Sequence, residues 1–470
     1  MPVKRADKTP MPQREAQLRA HDFGEVNEGY AVFHAVFEAE RCLRCQDPVC
    51  VEGCPVNIPI PEFMHEIVTG NMAEAARILR SANPLPAICG RVCPQESQCE
   101  ARCNVAIRFA PVAIGHLERY VADWERTQPL PNGANITKAE RVAVIGSGPS
   151  GLVCAGELAR RGYAVTVYEA LHAPGGVLRY GIPEFRLPKA ILDWEIDVLR
   201  GMGVRFECNV IVGRTFALDD LLGKMGYSAV FIGTGAGLPQ FLGIPGEDLN
   251  GVLSANEFLT RINLMRGYDF PHADTPIVVG KRAAVIGAGN TAMDAVRTAM
   301  RMGAGEAMIV YRRSEKEMSA RVEEYHHALE EGVEFKWLTN PLEVLGDSNG
   351  NVIGLRCQRM ELGEPDASGR RRPIPIAGSE HEIPLDTVIL ALGTTPNPLL
   401  TRTTAGLLTN DEGCLVADET TGLTSHAAVF AGGDAVTGAA TVILAAGAGK
   451  RAAHAIDEAL AARRTSGARA

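Results

Sequence analysis

Residues 141–151 read RVAVIGSGPSG, and this segment indicates the fold class of the chain. Its first five residues have the composition of a short buried strand, and the glycines that follow are spaced G-x-G-x-x-G. A helix is predicted over residues 152–161, and the next strand, residues 164–169, ends in an acid. Strand, glycine turn, helix and acid-ended strand in this order predict a βαβ unit that binds a dinucleotide.

The predicted role of each residue in this turn follows from its size and position. Gly146 permits the tight turn, Gly148 lets the backbone approach a pyrophosphate, and Gly151 lets the helix pack closely on the strand. The helix N-terminus attracts the anion, and Glu169 lies where a ribose hydroxyl is expected. The alternative is a glycine turn with only a structural role. The predicted site residues are Gly146, Gly148, Pro149, Ser150, Gly151 and Glu169.

A second copy of the pattern follows, with the strand at residues 282–286 and the next strand at 308–311. Its predicted cofactor residues are Gly287, Gly289, Asn290, Thr291, Arg312, Arg313 and Arg321. Arginines replace the acid at the end of the second strand, and arginines suit a 2′-phosphate, so NADP is favoured over NAD. A solvated strand end is the alternative interpretation. One acid-ended and one arginine-ended site predict FAD in the first and NADPH in the second.

Three later segments complete the predicted dinucleotide domains. Residues 227–236 and 385–394 are each an apolar strand followed by a Gly/Thr turn, and residues 428–434 form a strand that runs into Gly433 and Asp434. An acid at a glycine turn beside a flavin pyrophosphate is expected to bond the ribityl chain, although Gly-Asp alone is only a turn. The NADPH domain is therefore predicted as an insertion in the FAD domain.

Upstream of residue 139, eight of the twelve cysteines fall in two groups. The first group reads C-x2-C-x4-C-x3-C-P and the second C-x3-C-x5-C-x3-C; the cysteines are Cys42, Cys45, Cys50, Cys54, Cys89, Cys93, Cys99 and Cys103. The first run resembles a bacterial ferredoxin motif, in which the cysteine before proline can ligate the other cluster. Disulfides or structural zinc are the alternatives, and the tight spacing and absence of a signal peptide favour iron–sulfur.

The cysteines lie among predicted helices at residues 31–41, 60–69, 72–79 and 114–126, after an extended arm at residues 1–30. Prolines at 84, 86 and 94 argue against a regular helix through the second group. The apolar core of this region looks thin, so metal clusters are expected to hold it together.

The predicted fold class is α/β: two Rossmann-like domains, with the NADPH domain inserted in the FAD domain, preceded by an α-helical iron–sulfur domain. The boundaries are 1–138 for the helical domain, 139–275 and 396–470 for the FAD domain, and 276–395 for the NADPH domain. The net charge of −9 argues against nucleic-acid binding. No apolar run is long enough for a membrane span, and a reduced cytoplasmic location is expected.

The motifs together resemble the small (beta) subunit of NADPH-dependent glutamate synthases over nearly the whole chain. The same module is similar to the N-terminal part of dihydropyrimidine dehydrogenase and to the large subunit of ferredoxin:NADP transhydrogenases. The resemblance is carried by the cysteine groups and by residues 111–119, 144–151, 175–183, 287–294, 311–313, 391–397 and 431–434.

The resemblance implies two 4Fe–4S clusters. One would take Cys42, Cys45, Cys50 and Cys103; the other would take Cys54, Cys93, Cys99 and the carboxylate of Glu118, which leaves Cys89 as a non-ligand. Without the resemblance, Cys89 is the expected ligand and Glu118 an ordinary helix-surface residue. The resemblance also implies that residues 175–183, with Gly176 and Arg179, wrap the flavin.

The implied function is electron input. NADPH reduces FAD, and electrons leave through the clusters to the FMN of a large (alpha) subunit that makes glutamate from glutamine and 2-oxoglutarate. No catalytic side chain is expected, because the cofactors carry the chemistry.

Three other functions compete with this one. Two of them keep the module but change its partner: a bifurcating NADPH:ferredoxin oxidoreductase and a pyrimidine-reducing complex. The third, a zinc-stapled nucleotide sensor, is the non-enzymatic alternative. A thioredoxin-reductase type needs a C-x-x-C pair facing the flavin, whereas Cys154, Cys208, Cys357 and Cys414 are isolated.

Overall fold

Two five-stranded parallel sheets organise the part of the chain that the structure, a computed structural model, describes: residues 6–130, 133–367 and 369–467. The strands are β1 Arg141–Ile145, β2 Ala164–Tyr168, β3 Arg205–Glu207, β4 Ala229–Ile232, β5 Leu238–Pro239, β6 Val252–Ser254, β7 Arg282–Ile286, β8 Glu306–Val310, β9 Glu334–Lys336, β10 Thr339–Gly346, β11 Val352–Pro365, β12 Arg371–Pro375, β13 His381–Pro384, β14 Thr387–Leu390, β15 Thr394–Thr395 and β16 Val429–Ala431.

The helices surround these sheets and form the N-terminal region. They are α1 Ala16–Arg19, α2 Val32–Ala39, α3 Val49–Glu52, α4 Ile60–Thr69, α5 Met72–Ala82, α6 Pro86–Val92, α7 Ile114–Glu125, α8 Pro149–Arg160, α9 Val177–Tyr180, α10 Lys189–Gly201, α11 Leu218–Leu222, α12 Ala255–Leu259, α13 Asn290–Arg301, α14 Val322–Glu330, α15 Leu399–Thr403, α16 Asp434–Thr437 and α17 Val442–Gly467. Among the described helices, none is both long and apolar enough to cross a bilayer.

The first sheet has the strand order β16-β4-β1-β2-β3, and all of its pairs are parallel. Strand β1 is buried along four of its five residues because both of its faces are covered. The chain passes from β1 to β2 on one side and later returns with β4 on the other. This reversal places the 146–151 turn at a topological switch point, where such sheets bind ligands.

The second sheet has the equivalent order β6-β14-β7-β8-β9. Strand β6 pairs with β14 here, whereas the sequence prediction placed residues 252–254 in the first part of the FAD domain, 139–275. That boundary was therefore too late, because a three-residue strand has no periodicity from which its sheet can be recognised. Residues 339–384 form an antiparallel sheet beside the second parallel sheet, and β5 pairs with β15 where the chain enters and leaves the insertion.

The helical region departs from two expectations. Helix α6, Pro86–Val92, runs through the second cysteine group, because Pro86 occupies the first turn, where a missing N–H costs nothing. The expected thin core is also wrong: buried residues of the helical region form one apolar cluster with those of the first sheet. Leu85, Ile88 and Leu117 in the helical region and Leu152 in α8 are all fully buried in it.

Residues 6–30 are not a free arm but pack along the helical region and the second domain. Arg19, which is 2 % exposed, pairs with Glu331 at 3.1 Å. The same carboxylate receives Arg297 at 2.7 Å and Arg301 at 2.8 Å. We call these three arginines and Glu331 the junction network, because it ties the N-terminal segment to the second domain.

Candidate cofactor sites

The first glycine turn has the shape that a pyrophosphate site needs. Gly146 has φ +96°, and a Cβ there would lie 2.5 Å from the carbonyl oxygen of Gly233. A Cβ on Gly151 would collide with the carbonyl oxygen of Gly146, so helix and strand are in direct contact. A Cβ on Gly148, in contrast, would meet nothing within 4 Å. The open side of the turn is therefore at Gly148, where the prediction places the pyrophosphate.

Glu169 follows β2 at the same edge of the sheet. Its carboxylate accepts hydrogen bonds from the backbone N–H and the hydroxyl of Ser147 and from the backbone N–H of Leu171. Ser147 was not singled out from the sequence, because the x of a G-x-G motif carries no side-chain signal. Its contact holds the acid against the glycine turn, as a ribose-binding acid requires.

Two distant segments contact the same turn, as the flavin prediction requires. A Cβ on Gly176 would lie 2.7 Å from the Cα of Gly148, and one on Gly433 would lie 2.8 Å from Oγ of Ser150. Asp434 begins α16, and burial raises the pKa of its carboxyl to about 6.

Pro149 and Ser150 are buried in the first turn of α8. Arg179 is less well placed for a ligand: its Nε donates to the carbonyl of Pro174 at 2.6 Å, and its guanidinium pairs with Asp193.

The second glycine turn resembles the first, but its three arginines differ in exposure. Arg312 is exposed. Arg313 is buried and pairs with Asp366 at 2.8 Å. Arg321 is buried too, and donates to the carbonyl of Arg91 and to Oε1 of Gln95, both at 2.9 Å. Of the three, Arg312 alone has a guanidinium open to solvent at this strand end.

The other predicted NADPH-binding residues all lie in the second glycine turn or at the start of α13. A Cβ on Gly287 would collide with the carbonyl of Ala391, and one on Gly289 would meet only Oγ of Ser319, at 3.5 Å. Oδ1 of Asn290 accepts the backbone N–H of Arg321 at 2.9 Å, and Thr291 is exposed.

The first predicted cluster set converges on one cavity. Cys42, Cys45, Cys50 and Cys103 all line it, with apolar walls that include Ile60, Met64 and Val112. Burial and the neighbouring thiols raise the pKa of Cys50 to about 12. Nδ2 of Asn104 donates to Sγ of Cys45 at 3.4 Å, a hydrogen bond of the kind that tunes cluster potentials.

The second set meets where α6 and α7 cross. A Cβ on Gly90 would lie 2.5 Å from the backbone nitrogen of Arg119, so the neighbours Cys89 and Glu118 come from helices in contact. A Cβ on Gly53 would lie 3.3 Å from the Cα of Cys99, which brings the Cys54 loop to the same place. Cys54, Cys89, Cys93 and Cys99 are all buried.

Glu118 is an unusual carboxylate for a helix surface, because it is only 5 % exposed. Burial raises its pKa to about 8, opposed by a 2.9 Å hydrogen bond from Nδ2 of Asn83. The thiol of Cys93 has a raised pKa, first through a hydrogen bond with Cys89 and then through burial. The structure thus brings Cys89 and Glu118 together at this site, and the choice of Glu118 as ligand remains a prediction.

The first set lines a cavity that suits an iron–sulfur cluster, and the second set brings buried thiols and a buried carboxylate together. All twelve cysteines lie in the described ranges and are free thiols. Within those ranges, no three His, Cys, Asp or Glu residues gather as they would around a single metal ion. The four thiols around the first cavity suit a cluster whose irons each bind a different residue.

Comparison with known proteins gives two family matches along the chain. Residues 19–130 match the family model described as dihydropyrimidine dehydrogenase domain II, 4Fe-4S cluster, and residues 137–459 match pyridine nucleotide-disulphide oxidoreductase. The glutamate synthase [NADPH] small chain of Escherichia coli K12 is 39 % identical, over 95 % of this chain and 95 % of that protein. The NADP(+)-dependent formate dehydrogenase subunit beta of Moorella thermoacetica is 39 % identical, over 87 % of this chain and 59 % of that protein.

Among solved structures, Mycobacterium tuberculosis FprA in complex with NADPH is similar, with a TM-score of 0.58 and 23 % identity. The likeness covers 70 % of this chain and 86 % of FprA. It supports the predicted fold class of two Rossmann-like domains, and the family matches add the predicted 4Fe–4S domain before them.

Proposed function

Because the chain belongs to the family of the small chains of NADPH-dependent glutamate synthases, we propose that it feeds electrons from NADPH to a large glutamate synthase subunit. The chain is an NADPH-dependent oxidoreductase with a flavoprotein fold and an iron–sulfur domain. The proposal adds that FAD occupies the first turn, that two 4Fe–4S clusters occupy the cysteine sites, and that an FMN in the large subunit receives the electrons for glutamate synthesis.

The observation that carries the proposal is the order of the sites in space. The Cys54 site is buried, and its loop touches the FAD domain, where a Cβ on Gly447 of α17 would lie 2.7 Å from the carbonyl oxygen of Pro55. The Cys42 site lies further out, since its four cysteines, Cys42, Cys45, Cys50 and Cys103, are all partly exposed. A route from flavin to inner site to outer site leads to the surface, where a partner can accept electrons.

The residues of this chain would hold and orient cofactors rather than react. When bound, FAD would supply a hydride acceptor that can pass single electrons on to iron–sulfur clusters. Gly148 gives the pyrophosphate access to backbone N–H groups, Glu169 and Asp434 offer acceptors to sugar hydroxyls, and Arg312 offers a cation to the 2′-phosphate of NADPH.

The relative from Moorella thermoacetica favours a second candidate, because the same module there forms part of an enzyme named for formate. Under that candidate the NADPH, flavin and cluster sites keep their roles, and only the partner changes. A ferredoxin- or pyrimidine-reducing complex belongs to the same class of alternative.

Anaerobic affinity purification of the full chain at native expression level tests the proposal. We expect one FAD and about eight irons per chain, together with a large copurifying subunit that contains a glutaminase domain. NADPH oxidation by the complex should then require both glutamine and 2-oxoglutarate. A formate- or ferredoxin-linked partner would select the second candidate, and zinc without iron or flavin would refute both.

A further inference from the structure

Lys450 of α17 reaches out of the FAD domain into the helical region. Its Nζ donates to the carbonyl oxygen of Val56 at 2.7 Å and to that of Ala82 at 2.8 Å. These two carbonyls belong to separate segments of the helical region, the Cys54 loop and the end of α5. One side chain therefore connects three parts of the fold.

Each of the two segments leads directly to a predicted ligand of the inner cluster. Val56, fully buried, lies two residues after Cys54. Ala82 precedes Asn83, whose Nδ2 donates to Oε1 of Glu118 at 2.9 Å. The ammonium of Lys450 thus fixes the backbone beside the first ligand and the backbone that carries the support of the second.

The same part of α17 also contacts the first glycine turn, residues 146–151. A Cβ on Gly449 would collide with the carbonyl oxygen of Ser150, and one on Gly447 would lie 2.7 Å from that of Pro55. Within four residues, the helix contacts the predicted pyrophosphate site on one side and the predicted cluster site on the other. Glycine at both positions is what allows this double contact, because any side chain would push one site away.

We propose that Lys450 is a positioning residue for the inner cluster, which sets both the placement of its Cys54 and Glu118 ligands and its reduction potential. This inference rests on the proposed function, since it requires a cluster at that site. The hydrogen-bond acceptors of Lys450 are uncharged carbonyls, and the carboxylate of Glu157 acts on its charge without a salt bridge. A reduced cluster carries one more negative charge than an oxidised one, and a nearby cation therefore stabilises the reduced form.

The variant Lys450→Met tests this, because methionine keeps an unbranched side chain but removes the charge and the donors. Lys450→Arg is the conservative variant, and Arg451→Met removes a charge from the next, exposed residue of the same helix. The readout is an anaerobic redox titration of the holoprotein followed by electron paramagnetic resonance, with iron and FAD counted for each variant.

At a fixed potential, we expect Lys450→Met to lower the ratio of reduced to oxidised inner cluster by on the order of tenfold, the usual size of outer-shell effects at metal sites. Lys450→Arg should restore the ratio, and Arg451→Met should leave it unchanged. If Lys450→Met instead loses the inner cluster, iron per FAD falls by half, and recovery in Lys450→Arg supports the same role.

A ratio and iron content equal to those of the parent chain in Lys450→Met would overturn the inference while leaving the proposed function intact. The same holds if Arg451→Met shifts the ratio as much as Lys450→Met. A parent chain that holds no iron–sulfur cluster would refute the proposed function itself, so the two failures are distinguishable.

Discussion

At the scale of single residues, the inner cysteine site holds five candidate ligands, four thiols and Glu118, for a cluster that binds four. Cys89 is fully buried in the interior of α6, and its hydrogen bond with Cys93 marks it as a neighbour of a ligand. We expect Cys89→Ala to keep all of its iron per FAD, because an alanine fills the site without removing a ligand.

The matched control for this prediction is Cys93→Ala, which should lose about half of the iron as a predicted ligand of one of two clusters. Glu118→Ala should behave like Cys93→Ala. Iron loss in Cys89→Ala together with full iron in Glu118→Ala would instead make Cys89 the eighth ligand.

Arg312 is the residue on which NADPH preference should depend. Since Arg313 and Arg321 are engaged with protein groups, one substitution should suffice. We expect Arg312→Ala to raise the KM for NADPH between tenfold and a hundredfold, the equivalent of about 1.5–3 kcal/mol for a charge-assisted hydrogen bond.

Steady-state kinetics with both nucleotides measures this effect. The KM for NADH, which lacks the 2′-phosphate, should change little, and Lys316→Ala, an exposed cation in the same segment, should affect neither. An equal rise for NADH and NADPH would contradict the assignment.

At the scale of elements, the crossing of α6 and α7 depends on one glycine. A Cβ on Gly90 would lie 2.5 Å from the backbone nitrogen and 2.8 Å from the Cα of Arg119, and neither atom can move alone. Alanine normally stabilises a helix interior by about 1 kcal/mol over glycine. Overpacking costs about 1–3 kcal/mol, so the collision should outweigh the helix gain.

Heating while the cluster absorbance is recorded measures the result for Gly90→Ala. A net loss of about 1 kcal/mol lowers a midpoint by roughly 2–4 °C in a domain of this size class. Gly237→Ala is the control, because its Cβ would meet nothing within 4 Å. A higher thermal midpoint in Gly90→Ala would show that α6 and α7 can move apart to accommodate the added methyl group.

Helices and strands with a recognisable glycine spacing or apolar periodicity were predictable from the sequence. Elements whose place depends on pairing with a segment distant in sequence were not. The two βαβ units follow from glycine spacing, and helices such as α4 follow from apolar periodicity. Helix α6 was missed because proline was taken as a helix breaker without regard to its position in the first turn. Strand β6 was not predicted, and its residues fell within the predicted bounds of the FAD domain, because pairing with β14 is decided far away in the sequence.

The residues of the candidate sites also fall into those that the sequence predicts and those that it does not. Cysteine and glycine motifs are recognisable because the chemistry demands those residue types at those spacings. Asn83 and Lys450 belong to no such motif, because each acts through contacts with residues distant in sequence. From the sequence alone, either is indistinguishable from an ordinary surface residue. Arg313 and Arg321 were predicted as NADPH-binding residues, but both are buried, and the burial of an arginine cannot be inferred from its charge.

At the scale of the whole molecule, stability depends on the junction network. Burial alone would raise the pKa of Glu331, but hydrogen bonds from Arg297 and Arg301 hold it well below the ordinary value of 4.5. Glu331→Gln would leave Arg301 buried without its counter-charge, at a cost of about 3–5 kcal/mol, whereas Arg297 would keep its pair with Glu324. Urea unfolding at neutral pH measures this cost.

The neighbouring Glu330→Gln is the matched control, because the Glu330 side chain is 50 % exposed and its pair with Arg19 should contribute less than about 1 kcal/mol. The depressed pKa of Glu331 also determines how its contribution to the free energy of unfolding changes with pH. A depressed carboxyl pKa stabilises fully above the ordinary value of 4.5, and that stabilisation is lost as the pH falls below it. Glu331→Gln should therefore lose less stability on acidification than Glu330→Gln, and equal losses would contradict the role of Glu331.

The contact of α17 with the Cys54 loop has a consequence for biogenesis. During synthesis, the cysteines leave the ribosome before both dinucleotide domains, and α17 follows those domains. Until α17 docks, the loop around Pro55 lacks this part of its cover, so we expect the inner thiols to be more open to the machinery that delivers iron and sulfide. Afterwards they are buried. Metal loading of the inner site should therefore be easiest on the nascent chain, and a mature protein that has lost that cluster should regain it only by partial unfolding.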